Sequence, residues 1–299
     1  MFKLFIPLFF FWFFNLNALE FEQIEEGIFV HYGKHEDNNF INKGDISNIT
    51  IIVGDESVLL VDVGGTPTIG KEIKKYIKNK IGLPISHIVI THAHPDHFLG
   101  LSAFKNSDVE IIGHKKILRS LLLNFDFYKE QSLRTTKDKS LTNIENILPS
   151  TLVEKTYSIN IGNRKILIEA WPSGHTDNDL SVFDIKSKIF ISENIFIDRV
   201  PSISASIVGW VKNLEEIMKR DIKLIIPGHG ISKNKNEAIE PMLSYFKRII
   251  NEVREIHKKN KDVDFAQKNV SRNNLENWIL FKEYHKRNIT RSFTELEWE

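Results

Sequence analysis

Short apolar runs dominate the first part of the chain, at residues 27–30, 46–53 and 57–63, with turn residues such as Gly54-Asp55 between them. Runs of this length rich in Val and Ile predict strands. The period then changes. Residues 67–82 carry Ile69, Ile73, Tyr76 and Ile77 at three- and four-residue intervals, with lysines between them, which predicts one buried helix face. Residues 85–90 predict a buried strand running into a histidine-rich loop, residues 109–112 a further strand, and residues 117–127 a helix. The polar stretch 130–150 predicts no regular element and reads as a flexible excursion beside a cleft.

The second half repeats the theme. Strands are predicted at 152–161, 165–170, 180–185 and 189–196, a helix near 210–219, and a strand at 223–226 that ends on Pro227-Gly228-His229-Gly230. Groups of strands followed by helices, twice over, predict an α/β fold of two packed sheets with helices outside. No internal repeat supports a duplication. From Asn236 onward the apolar set Ile239, Met242, Leu243, Phe246, Ile249, Ile250 and Val253 follows helical spacing. That predicts a C-terminal helical extension at 236–299 packing on a main domain at 19–235.

The first 18 residues read differently. Lys3 precedes an apolar run at 4–14, and Asn15-Leu16-Asn17-Ala18 follows, which describes a secretory signal peptide cut after Ala18. The run is shorter than the about 20 residues a membrane span needs, so no stable span is expected after cleavage. The mature protein is therefore expected in the periplasm or secreted.

Composition narrows the chemistry. The 299 residues include no cysteine, which excludes disulfides, thiolate zinc sites, iron–sulfur clusters and thiol catalysis. Lys and Arg number 40 against 39 Asp and Glu, so no global field favours nucleic acid and a small-molecule substrate is expected. Any metal must be held by His, Asp or Glu.

Three of the 11 histidines fall in Thr91-His92-Ala93-His94-Pro95-Asp96-His97. After a strand, alternate residues point the same way, so His92 and His94 can grip one ion. Pro95 then turns the chain and lets Asp96 and His97 face a second. Burying this set unpaired would cost several kcal/mol, which argues against simple packing. His175 in Ser173-Gly174-His175-Thr176 and His229 in Pro227-Gly228-His229-Gly230 each follow a predicted strand beside glycine. Together with the first cluster they complete a dinuclear site. His31, His35, His87, His114, His257 and His285 lie outside these runs and read as surface or capping groups. Trp210 and Trp278 read as packing, and Arg199 as a solvated loop arginine that could meet an acidic substrate.

The HxHxDH run with the later Gly-His-Thr and Pro-Gly-His-Gly resembles the metallo-β-lactamase superfamily, over roughly residues 25–230. The resemblance implies an αββα sandwich with the metal site on loops at one edge of the two sheets. It implies two zinc ions, the first held by His92, His94 and His175, the second by Asp96, His97 and His229. Asp62, in Val61-Asp62-Val63-Gly64-Gly65, would support the metal loop without binding metal. Many hydrolases of the family place a bridging Asp where Ile191-Ser192-Glu193-Asn194 stands here. Glu193 is thus the candidate bridge, or else a group behind the ligands.

A finer match is carried by Gly44-Asp45-Ile46-Ser47-Asn48, Arg199-Val200-Pro201, Gly209-Trp210, Arg287-Asn288-Ile289 and the ending Glu295-Leu296-Glu297-Trp298-Glu299. These are similar to the quinoprotein relay system zinc metallohydrolases, which implies a link to a periplasmic dehydrogenase system. Two adjacent zinc ions would lower the pKa of a shared water towards about 7, and one would polarise a carbonyl. Asp96 would orient that water. An ester, thioester, lactone or amide satisfies this chemistry. Lactam hydrolysis is the second reading, and a metal-bearing periplasmic binding or relay component the non-enzymatic one.

Overall fold

The computed structural model describes residues 19–272 and 277–299, so the signal-peptide reading of residues 1–18 lies outside the described residues. Central strands are apolar on both faces, which is why they read as unbroken runs. In β4 (Val58–Val61), Val58 and Leu60 face an outer helical layer while Leu59 and Val61 face the opposite sheet. The period-two alternation of a strand thus serves two cores at once.

The first sheet holds seven strands in chain order: β1 (Glu22–Glu25), β2 (Ile28–His31), β3 (Ile49–Val53), β4, β5 (Ile85–Val89), β6 (Glu110–His114) and β7 (Thr151–Val153). β1 to β4 pair antiparallel, and β4 to β7 pair parallel. The parallel steps cross over through α1 (Pro67–Tyr76), α2 (Pro95–Phe98) and α3 (Ile117–Thr136). The second sheet runs β12-β11-β10-β9-β8, with β8 (Thr156–Asn160), β9 (Lys165–Ala170), β10 (Leu180–Asp184), β11 (Ile189–Phe196) and β12 (Leu224–His229). Between β11 and β12 lies α4 (Ile207–Met218), and α5 (Lys235–Lys258), α6 (Val263–Asn269) and α7 (Phe281–Leu296) complete the chain.

Three apolar layers make this an αββα sandwich. Val30, Ile52, Leu59 and Val61 meet Ile166, Ile168, Val182 and Ile191 between the sheets. Ile69, Ile73, Ile117 and Leu121 of α1 and α3 cover the outside of the first sheet. On the outside of the second, Trp210 and Leu214 of α4 pack with Met242, Phe246, Ile249 and Val253 of α5 and Ile289 of α7. The C-terminal helices therefore share a core with the second sheet. Among the described residues no helix is long and apolar enough to cross a membrane.

Three local expectations are corrected. The run 152–161 is two strands in different sheets, because the chain crosses between them at the exposed Glu154 and Lys155. The Ala170 N–H bonds to the Lys155 carbonyl at 2.8 Å and Lys115 N–H to that of Val153 at 2.8 Å, so one residue pair separates the two ladders. The stretch 130–150 is ordered at its start: α3 runs to Thr136, and a 3-10 turn follows at Lys139–Leu141. Its polar residues misled because Ser132 and Thr136 are buried and Thr136 Oγ1 bonds back to the Ser132 carbonyl at 2.6 Å. Finally, β3 starts at Ile49; Ile46, Ser47 and Asn48 form a separate segment with other work.

Candidate metal centre

Each histidine of interest sits just beyond or at the end of a strand, and the sandwich brings those ends to one edge. β5 leads to His92, His94, Asp96 and His97, β9 leads to His175, and β12 ends on His229. The loops are tied across the sheets: Leu180 N–H donates to the Thr91 carbonyl at 2.8 Å and Ala93 N–H to Asn178 Oδ1 at 3.0 Å.

Two triads result. His92, His94 and His175 offer one ligand atom each, mutually within 4.8 Å, and Asp96, His97 and His229 do the same. In the first, His94 Nδ1 lies 2.9 Å from His92 Nε2 and 3.1 Å from His175 Nε2. In the second, Asp96 Oδ2 lies 3.3 Å from His97 Nε2 and 3.6 Å from His229 Nε2.

The far nitrogens of the rings decide which lone pairs face inward. His175 Nδ1 donates to the Ser202 carbonyl at 2.9 Å, and His229 Nδ1 to the Ile46 carbonyl at 2.7 Å. His97 Nδ1 donates to Asp62 Oδ2 at 2.8 Å, and His92 Nδ1 lies 3.2 Å from Thr91 Oγ1. Such contacts fix the tautomer and leave Nε2 as the free donor atom, as a metal-ligating histidine requires. Burial and neighbouring imidazoles push His92 and His175 well below the usual histidine range. Burial and the Arg199 charge do the same to His229, and burial takes His94 down to about 4. Four of the five rings are thus neutral, the form that ligates. Burial also lowers His97, but the Asp96 and Asp62 carboxylates outweigh it and raise its pKa well above the ordinary value. Burial resists the charge on Asp96, yet the charge and hydrogen bond of His97 hold it ionised. This donor set fits two divalent cations.

Glu193 joins neither triad but forms a third donor group that shares His97 with the second. It groups with Asp62 and His97, its Oε2 3.6 Å from Nδ1 of His97, the ring nitrogen turned away from Asp96. It is buried, and neither carboxylate oxygen has a hydrogen-bond partner. Asp62 acts as the support expected of it, accepting from Thr91 N–H at 2.9 Å and Thr91 Oγ1 at 2.7 Å besides His97. Arg199 is buried, not solvated: its guanidinium lies 3.2 Å from His229 Nδ1. His31, His114 and His285 are also buried rather than at the surface, and His31 pairs with Asp45 at 2.7 Å.

Sequence reasoning attached no role to Ser47 and Asn48. Ser47 Oγ donates to the Asp96 carbonyl at 2.6 Å, while Asn48 Nδ2 bonds the Pro227 and Gly230 carbonyls at 2.8 Å each. The 46–48 segment therefore clamps both loops of the second triad, and its only sequence signal was the Gly44 to Asn48 motif.

A cleft of about 430 Å³ opens over the triads, lined by His94, Asp96, His175 and His229 with Tyr128 of α3, Arg199, and Tyr284 and Arg287 of α7. Helix α7 thus forms one wall.

The sequence profile of the Metallo-beta-lactamase superfamily matches residues 42–229, from the clamp to the last histidine. The chain belongs to this superfamily. It is 22% identical over 225 residues to a Bacillus cereus protein described as metallo-beta-lactamase type 2, covering 72% of this chain and 77% of that one. The solved metallo-β-lactamase from Pontibacter korlensis superposes with a TM-score of 0.61 at 18% identity, over 77% of this chain and 99% of its own. A double mutant of the sec-alkyl sulfatase PisA1 gives a TM-score of 0.72 at 14% identity, over 93% of this chain and 50% of the sulfatase. The last likeness extends past the superfamily sandwich into the C-terminal helices.

Proposed function

We propose that this chain is an exported zinc-dependent hydrolase that cleaves a small ester, thioester, lactone or amide at its carbonyl. The carrying observation is the convergence of two donor triads, with their outer nitrogens already engaged, on the floor of one cleft. His92, His94 and His175 would hold one ion and Asp96, His97 and His229 the other. Bound there, a zinc pair supplies Lewis acidity and water acidified towards neutral pH.

The chain's own groups do the rest. Asp96, held ionised at the cleft surface, would orient the attacking water by accepting a hydrogen bond from it. Burial and Asp37 push the Tyr284 phenol up to about 12, so it keeps its proton and donates it to Asp37 Oδ1 at 3.0 Å in the wall. Ile46, Phe196 and Val200 line the same cleft and limit water around the scissile bond. Arg199 and Arg287 set positive charge on one side, which suits a substrate with an anionic group.

The motifs at 44–48, 199–201, 209–210 and 287–299 support placing the protein in the quinoprotein relay branch, linked to a periplasmic dehydrogenase. The apolar run at 4–14 supports export. A sulfate ester is the second reading, favoured by the two arginines and by the PisA1 likeness over the C-terminal helices. Metal analysis of the purified protein, with a panel of lactam, thioester, lactone and alkyl sulfate substrates, tests both. Turnover of carbonyl substrates by the zinc-loaded form supports the first reading. Turnover of the alkyl sulfate alone selects the second, and full activity without metal overturns both.

A further inference from the structure

Helix α7 places Asn288, Arg291 and Glu295 on one stripe, at i, i+3 and i+7. All three bond to the irregular segment 201–206 or to the first turn of α4 that directly follows it. Asn288 Oδ1 accepts from Ile203 N–H at 3.1 Å, and Asn288 Nδ2 donates to the Pro201 carbonyl at 2.7 Å. Arg291 donates to the Ala205 carbonyl at 2.9 Å. Glu295 accepts from Ser206 Oγ at 2.6 Å and from Ile207 N–H at 2.8 Å, capping α4 from outside.

The Asn288 contacts have a directional consequence. In extended backbone the carbonyl of one residue and the N–H two residues on face the same side, and the carbonyl between them faces the other. By bonding Pro201 C=O and Ile203 N–H, the Asn288 amide takes the place of a neighbouring strand. The intervening Ser202 carbonyl is then turned away from α7, and it is this oxygen that accepts from His175 Nδ1 at 2.9 Å. The same segment reaches the first triad twice more: Ser204 N–H donates to the His175 carbonyl at 3.1 Å, and Ser204 Oγ lies 3.5 Å from His94 Nε2. Asn288 is itself buried, and its Nδ2 also donates to Tyr245 Oη of α5 at 3.1 Å.

We propose that Asn288 is a positioning residue for the first metal site, setting the His175 tautomer and ring through the Ser202 carbonyl, with Arg291 and Glu295 anchoring the rest of the segment. The C-terminal extension is on this account part of the metal centre. The inference rests on the reading that His92, His94 and His175 hold an ion.

The test is zinc affinity by chelator competition in a His229→Ala background, where only the first triad is whole. Adding Asn288→Ala should lower affinity by about 10–100-fold, the usual loss when the partner of a ligand is removed. Val253→Ala, which opens the same helical core without touching the segment, should lower the melting temperature of the metal-free protein yet leave zinc affinity as it was. Glu295→Gln, a milder change that keeps one acceptor for Ser206, should give a loss of a few-fold and stands in if Asn288→Ala does not fold. Unchanged affinity in a folded Asn288→Ala or, failing that, in Glu295→Gln overturns the inference, as does an equal loss in Val253→Ala. No zinc binding in the His229→Ala background itself would instead overturn the metal reading on which it rests.

Discussion

Asp62 accepts the Nδ1 proton of His97 at 2.8 Å, and it does so from a left-handed backbone with φ of 60° at the end of β4. Asp and Asn tolerate that conformation better than other residues with a side chain. Asp62→Asn therefore keeps the turn while removing the carboxylate that polarises His97. We expect the second zinc to bind about 10–100-fold more weakly, with the first little changed. Chelator competition followed to two equivalents measures both steps, and equal weakening of the two would contradict this assignment.

Stability of the sandwich should be separable from the metal centre. Arg164 and Asp184 form a buried pair at 2.7 Å, and Arg164 Nη2 also donates to the Glu26 carbonyl at 2.7 Å. Both lie at the strand ends opposite the histidines. Arg164→Met leaves Asp184 buried without its cation, which costs about 3–5 kcal/mol. Urea unfolding should show that loss, and zinc affinity of the folded protein should match wild type. Replacing both partners, Arg164→Met with Asp184→Leu, should recover much of the stability.

His31 and Asp45 give a pH signature. Burial lowers the His31 pKa, but the Asp45 hydrogen bond and charge outweigh it and the net shift is upward. A histidine raised in the folded state contributes stability in full below its unfolded value of 6.5, and that contribution fades as pH rises through the folded value. Asp45→Asn should therefore cost about 1.5–3 kcal/mol near pH 6. The difference from wild type should shrink towards about pH 9. A difference independent of pH in denaturant titrations of the metal-free proteins would show that the pair is not charged.

The parts of this molecule legible in the sequence are those governed by burial and by local spacing. β9 carries the apolar run Ile166-Leu167-Ile168, whose two isoleucines are buried, and was expected over the residues it occupies, 165–170. The histidines at 92, 94, 97, 175 and 229 stood out because strands deliver them and little else explains them. Side chains whose partners are distant in the chain carried no such signal. Asn48 holds carbonyls about 180 residues away, with separations of 179 and 182, and Asn288 holds a segment 85 to 87 residues before it. An asparagine in a loop and one on a helix look alike whether they face water or a buried backbone. The burial of His31 and His285 was missed for the same reason, and that of His114 because it ends a strand, β6, that was expected to stop at residue 112. Each has its partner in tertiary structure or, for His114, in the adjoining turn, where Nδ1 accepts from Lys116 N–H at 3.0 Å.

Glu193 yields the sharpest prediction, because its two states pull in opposite directions. Both oxygens are buried without a hydrogen-bond partner, and burial together with the Asp62 charge raises its pKa well above the usual carboxylate value. A carboxylate raised in the folded state weakens the fold as pH climbs above its unfolded value of 4.5, the reverse of an ion-paired acid. Glu193→Gln removes that penalty, so the metal-free variant should be more stable than wild type near pH 8, on the order of 1–3 kcal/mol, and close to it near pH 4. For metal, position decides. Oε2 stands 3.6 Å from His97 Nδ1, on the side of the ring where Asp62 binds. A carboxylate acting from there through His97 predicts that its replacement weakens the second zinc less than Asp62→Asn does. Glu193→Asp shortens the side chain away from His97 and should give no tighter binding. If Glu193→Gln instead loses zinc at least as severely as Asp62→Asn, and Glu193→Asp binds more tightly than wild type, the carboxylate lies between the two ions in the loaded protein. Thermal melts without metal and chelator titrations with it, run on the same three variants, separate the two placements.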